Sequence, residues 1–110
     1  MRTSFTLLLV EDSSQDAELV LETLREAGLD PLCRRVDTKE DYLRELNVSS
    51  PDLILSDFSL PQFDGQAALH LLKATGLDIP FIIVSGCIGE DMAVECMKAG
   101  ASDYLLKDRL

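Results

Sequence analysis

The stretch DLILSDFSLPQFDG, residues 52–65, decides the fold. Leu53, Ile54 and Leu55 run together with no polar alternation, the pattern of a strand buried on both faces of a parallel sheet. That run ends on Ser56 and Asp57, and Pro61 and Gly65 follow as turn residues. A carboxylate closing a buried strand is costly to place unless something uses it. In open parallel sheets ligands bind beyond the carboxyl ends of the strands, near the point where strand order reverses. Asp57 stands where such a sheet puts its chemistry.

The rest of the chain repeats the pattern. Phe5 to Val10 and Ile79 to Val84 are near-continuous apolar segments and read as central strands. Leu32 to Val36 carries Arg34 and Arg35 and fits an edge strand, and Tyr104 to Leu106 is a fifth. Between them Ala17, Val20, Leu21 and Leu24 recur at helical spacing, with Ser13 or Ser14 placed to cap and Gly28 to terminate. Thr38 followed by Asp41 resembles a capping box for a second helix whose buried stripe is Tyr42, Leu43 and Leu46. Ala67, Ala68, Leu71 and Leu72 mark a third helix; Ala93, Val94 and Met97, closed by Gly100, mark a fourth. Strands alternating with helices predict right-handed crossovers and an α/β fold with a doubly wound five-stranded parallel sheet.

Composition limits the function classes. At 110 residues with a 46% hydrophobic fraction, the chain fits one domain with one core. Twenty acidic against ten basic residues give a net charge of −10, which repels nucleic-acid phosphates and anionic lipid. The expectation is no direct nucleic acid contact and no membrane partner. No apolar run approaches the ~20 residues a spanning helix needs, and the start lacks a signal peptide's flanks, so the segment reads as cytoplasmic. Cys33, Cys87 and Cys96 show no close-pair metal spacing and read as core thiols. His70, the sole histidine, falls among leucines of the third helix and is given no phosphotransfer role.

The polar residues gather where the sheet predicts. Glu11 and Asp12 end strand one, Asp57 ends strand three, Ser85 ends strand four, and Lys107 follows strand five. Carboxylates about 4 Å apart repel by roughly 4 kcal/mol per pair at an effective dielectric of about 20. A cation is expected among them, and an all-oxygen ligand set suits Mg²⁺.

At this point the residues match a known family. VED at 10–12, SDFSLPQFDG at 56–65, VSG at 84–86 and GASDYLLK at 100–107 resemble a response-regulator receiver domain of two-component signalling, over nearly the whole chain. The resemblance implies the flavodoxin-like strand order 2-1-3-4-5. It implies that Asp57 is the phosphoacceptor, with Asp12, Asp57 and the backbone carbonyl of Ser59 on Mg²⁺ and Glu11 acting through water. Ser85 is similar to the hydroxyl residue that bonds the phosphoryl group, Lys107 to the lysine that pairs with its oxygens, and Tyr104 to the switch aromatic. Asp108 stands where many receivers have proline, Ser85 where threonine is commoner. Ser59 and Cys87 occupy positions that influence self-hydrolysis, and neither offers a charged or amide group.

Plainer readings compete with each role. Asp12 is a good helix cap; Asp57, Pro61 and Gly65 could be turn chemistry; Ser85 an ordinary strand-end hydroxyl; Lys107 a solvated charge; Tyr104 a packing aromatic. The leading function is a phosphorelay receiver: it takes a phosphoryl group from a phosphohistidine of a partner histidine kinase or phosphotransfer domain, and switches a surface of helix four and strand five for an output domain or partner protein. The rivals are a non-phosphorylated interaction module of the same fold and an Asp-nucleophile phosphatase. Against the last, the position two after Asp57, where those enzymes commonly carry a second Asp, holds Ser59.

Receivers continue past the lysine into a fifth helix, whereas the sequence ends at DRL, residues 108–110. The expectation is that residues 1–110 are one receiver domain from a longer chain, such as a hybrid histidine kinase, with the fifth helix absent or truncated. Apolar side chains on strands one and five would then lie exposed.

Overall fold

In the computed structural model, which describes residues 3–58, 63–86 and 90–106, strands and helices alternate. They are β1 (Thr3–Val10), α1 (Ser14–Glu26), β2 (Leu29–Val36), α2 (Lys39–Ser49), β3 (Leu53–Asp57), α3 (Gly65–Thr75), β4 (Phe81–Ser85), α4 (Glu90–Lys98) and β5 (Asp103–Leu106). All pairings are parallel and the order is β2-β1-β3-β4-β5, the doubly wound arrangement that the sequence predicts, with four helices among the described residues.

Alternation along the strands divides the core in two. Leu7, Leu9, Leu55 and Val84 face α1, where Ala17 and Val20 close over them. Leu8, Val10, Ile54, Phe81 and Ile83 face the other way, against Tyr42 and Leu46 of α2, Ala68, Leu69 and Leu72 of α3, and Cys96 of α4. On β1, α1 covers Leu7 and Leu9, and Phe5 on the same face is half-buried. On β5 apolar exposure occurs as expected, with Leu105 39% exposed.

Local chemistry sets the element ends. The Ser13 and Thr38 hydroxyls accept the N–H of Asp16 and Asp41, and the Asp64 carboxylate accepts that of Ala67 at 2.8 Å, satisfying first-turn donors. Gly28 takes φ +87° and turns the chain directly into β2, which therefore starts at Leu29 rather than Leu32. Pro31 is tolerated inside that strand. The Val36 carbonyl accepts the Glu11 N–H, so even-numbered residues of β2 point their backbone at β1 and the missing N–H of Pro31 faces the open edge.

One further strand boundary needs correction, and the fourth helix appears as expected. β4 starts at Phe81, not Ile79, because Pro80 has no N–H for a ladder, although its carbonyl still accepts the Ile54 N–H at 3.0 Å. In α4 the residue against the sheet is Cys96, fully buried, while Val94 and Met97 are 46% and 41% exposed. Val94 and Met97 lie three apart on one ridge, and the helix turns that ridge outward. Cys96 thus supports the core-thiol reading, Cys33 is half-buried, and Cys87 lies outside the described residues. His70 is exposed on α3.

Candidate functional site

β1, β3 and β4 finish along one rim. Val10 pairs with Ser56 and Asp57 with Val84, so Glu11, Asp57 and Ser85 each emerge at the carboxyl edge of the sheet. Glu11 continues the ladder one residue beyond β1 by donating its N–H to Val36 O at 2.9 Å. Its own carbonyl accepts a hydrogen bond from Arg35 Nη1 at 3.1 Å. Ser13 caps α1, which leaves Asp12 as the single residue between a strand extension and a helix cap. The carboxylates of Glu11, Asp12 and Asp57 consequently each bring an oxygen within 4.8 Å of the others.

These three acids differ in surroundings. Glu11 is buried at 2% exposure, Asp57 is half-buried, and Asp12 is open to solvent. At the outer limit of their separation each ionised pair repels by about 3 to 4 kcal/mol with an effective dielectric near 20. Three hard oxygen donors, one of them open to solvent, fit a divalent ion that keeps part of its water shell. A bound divalent charge would offset that repulsion.

The start of α3 presses on the same place. Gly65, read from the sequence as a turn residue, is the first residue of α3, and its N–H donates to Phe58 O at 3.0 Å. A Cβ there would lie 2.9 Å from the backbone carbonyl oxygen of Asp57 and 3.1 Å from both Phe58 Cα and Ile83 Cδ1. The glycine is required by close approach. Phe63, buried, packs on Tyr42 with ring centroids 5.2 Å apart, and the Tyr42 hydroxyl donates to Ala68 O at 2.7 Å. Burial pushes the Tyr42 phenol well above its ordinary range.

Ser85 is 2% exposed at the end of β4, and Tyr104 on β5 lies opposite Ile83, on the same face of the sheet as Ser85. Tyr104 is 37% exposed. Ser59, Pro61 and Lys107 lie outside the described residues. The structure therefore brings Glu11, Asp12 and Asp57 together and sets Ser85 on the same rim. A separate cleft of about 510 Å³ lies on the flank between α1 and β2, with Leu9, Leu21, Cys33 and Arg35 in its lining. Burial raises the Cys33 thiol, against the smaller opposing pull of Arg25 and Arg35, which disfavours its thiolate.

Sequence reasoning missed Arg35 and Gly65. An arginine in an edge strand reads as solvated, and only the β1–β2 register reveals that one of the neighbouring pair, Arg34 and Arg35, reaches the site loop. Close approach at Gly65 has no local signature beyond the glycine itself.

Residues 7–109 match the sequence model described as "Response regulator receiver domain". The chain is 37% identical over 99 residues to the luminescence regulatory protein LuxO of Vibrio campbellii, a match covering 90% of this chain and 21% of that protein. It is similar to the Mn²⁺-bound form of response regulator Rcp1, with 30% identity, a TM-score of 0.81, and coverage of 96% of this chain and 83% of that one. The receiver domain of a signal transduction histidine kinase from Syntrophus aciditrophicus is 32% identical at a TM-score of 0.73, over 94% of this chain and 78% of that one. The chain spans about a fifth of the length of the curated relatives it matches.

Proposed function

We propose, from the fact that this chain belongs to the response regulator receiver family, that it is a phosphoacceptor whose acceptor is Asp57. The observation that carries the reading is the convergence of Glu11, Asp12 and Asp57 within 4.8 Å at the end of the central strands. In this reading a carboxylate oxygen of Asp57 attacks the phosphorus of a phosphohistidine on a partner histidine kinase or phosphotransfer domain. A P–O bond forms, the P–N bond breaks, and the imidazole leaves and recovers its proton from water.

An anionic nucleophile and an anionic phosphoryl group repel, so positioning and charge neutralisation supply most of the catalysis. Glu11, Asp12 and Asp57, with the backbone carbonyl of Ser59, would hold Mg²⁺, which when bound neutralises charge on the transferring oxygens. Lys107 would pair with those oxygens as a cation. The Ser85 hydroxyl donates to a phosphoryl oxygen once one is present, and by moving inward vacates space beside Tyr104. Tyr104 then exchanges its exposed position for a buried one, and the surface of α4 and β5 changes for an output domain or partner protein. Val94 and Met97 already expose apolar area on α4, which supports a docking role there. We assign the activity to the cytoplasm, where kinase partners have their ATP.

The test is incubation with radiolabelled acetyl phosphate and Mg²⁺. Stable label on the wild type and none on Asp57→Asn is the expected result. Absence of label with native stability would make the chain an interaction module, and continuous turnover of phosphate esters would make it a phosphatase.

A further inference from the structure

We infer that Arg35 is a positioning residue for the acidic rim, supplying with its side chain the rung that the backbone of β2 cannot. In a parallel ladder a residue that donates its N–H to one residue of the neighbouring strand accepts from the N–H two positions further along. Glu11 donates to Val36 O, so the backbone donor due at the Glu11 carbonyl is that of Thr38. β2 ends at Val36, and Thr38 has left the sheet to cap α2. At that vacancy Arg35, paired with Leu9, reaches forward along the strand direction and donates from Nη1 to Glu11 O at 3.1 Å.

This bond acts on the peptide plane between Glu11 and Asp12. The N–H of Glu11 fixes the entry to that plane, Arg35 fixes its carbonyl, and the Ser13 cap fixes the chain one residue beyond. Rotation of the plane would carry the Asp12 carboxylate away from Asp57. A buried partner is not needed for this effect, because the guanidinium is a charged donor and its planar fork loses little freedom per bond. Arg35 lies at the head of the cleft between α1 and β2, so it reaches the loop from the flank and leaves the rim clear for the phosphoryl group.

The inference rests on the metal-binding reading of the rim, and the two can fail separately. The experiment is a Mg²⁺ titration of isotope-labelled protein followed by NMR, comparing wild type with Arg35→Met and Arg35→Lys. Positioning predicts that Arg35→Met binds Mg²⁺ about tenfold more weakly, the low end for a group acting behind a ligand. Arg35→Lys, which keeps the charge and one donor, recovers part of the loss. Charge alone predicts the opposite sign, since deleting a cation near a divalent ion tightens its binding. Unchanged or tighter binding by Arg35→Met therefore overturns the proposal. Should the wild type take up no Mg²⁺, the metal reading falls, and the metal-free spectra decide the inference. The Glu11 carbonyl and Asp12 amide signals must move in Arg35→Met while those of β3 and β4 stay; if they do not move, Arg35 positions nothing.

Discussion

Adding one methyl group at Gly65 tests how tightly the site is built. The new Cβ meets the Asp57 carbonyl oxygen at 2.9 Å and Phe58 Cα at 3.1 Å, both backbone atoms, and the side chain of buried Ile83 at 3.1 Å. Ordinary contact begins near 3.4 Å, so α3 must lift by about half an ångström or β3 must yield. Lifting α3 loosens Ala68, Leu69 and Leu72, which are essentially inaccessible to solvent. Overpacking of this kind costs about 1 to 3 kcal/mol, while replacing glycine with alanine in a helix returns up to about 1 kcal/mol. The net loss expected for Gly65→Ala is about 1 to 2 kcal/mol, or roughly 4 to 8 °C in Tm for a domain of this size. Circular dichroism melts in metal-free buffer measure it. Because the strain falls on the carbonyl of Asp57, Mg²⁺ affinity should drop as well. A Tm equal to or above that of the wild type would refute the claim that close approach requires the glycine.

Three further outcomes are expected. Saturating Mg²⁺ at a hundredfold excess over Kd raises stability by about 2.7 kcal/mol, near 10 °C, and Asp12→Asn removes most of that shift while raising the metal-free Tm, because a repelling charge has gone. Tyr42→Phe forfeits the bond to Ala68 O and costs about 1 kcal/mol in a urea melt. The folded-state pKa of Tyr42 lies above its ordinary 10.0, so the wild type keeps this contribution below about pH 10 and loses it as pH climbs towards the folded value; the variant should show a flatter alkaline limb. Thr38→Ala deletes the acceptor for the Asp41 N–H and costs about 1 kcal/mol, measured by chemical unfolding.

The parallel sheet was legible because burial on both faces removes polar residues from β1, β3 and β4, and runs this short bounded by turn residues read as strands rather than buried helices. The carboxylates were legible because they interrupt those runs. What local sequence could not reveal depends on where strands meet. Ile79 looks like strand until Pro80 withholds a donor, and the α4 ridge of Val94 and Met97 has core-like residue types that only the neighbouring helix and sheet assign to the outside. Gly65 illustrates the same point, since a turn glycine and a contact glycine are identical until the third dimension brings Asp57 against one of them. Arg35 is the clearest case. Its role arises where Glu11 extends the ladder past the last paired residues, Val10 and Val36, while β2 turns away to cap α2, which no periodicity records.

Strand length sorts the sheet by how readily it opens. β1 is paired over eight residues with β2 and over four with β3, whereas β5 holds to β4 by four residues that are exposed or half-exposed. Amide hydrogens should therefore exchange slowest in β1 and β3 and fastest in β5, a gradient running across the molecule rather than along it. The carboxylates hang from the slow side. Tyr104 sits on the fast side, where a local excursion costs little and leaves Glu11, Asp12 and Asp57 undisturbed. A domain arranged in this way can loosen or tighten one margin while its three carboxylates stay still.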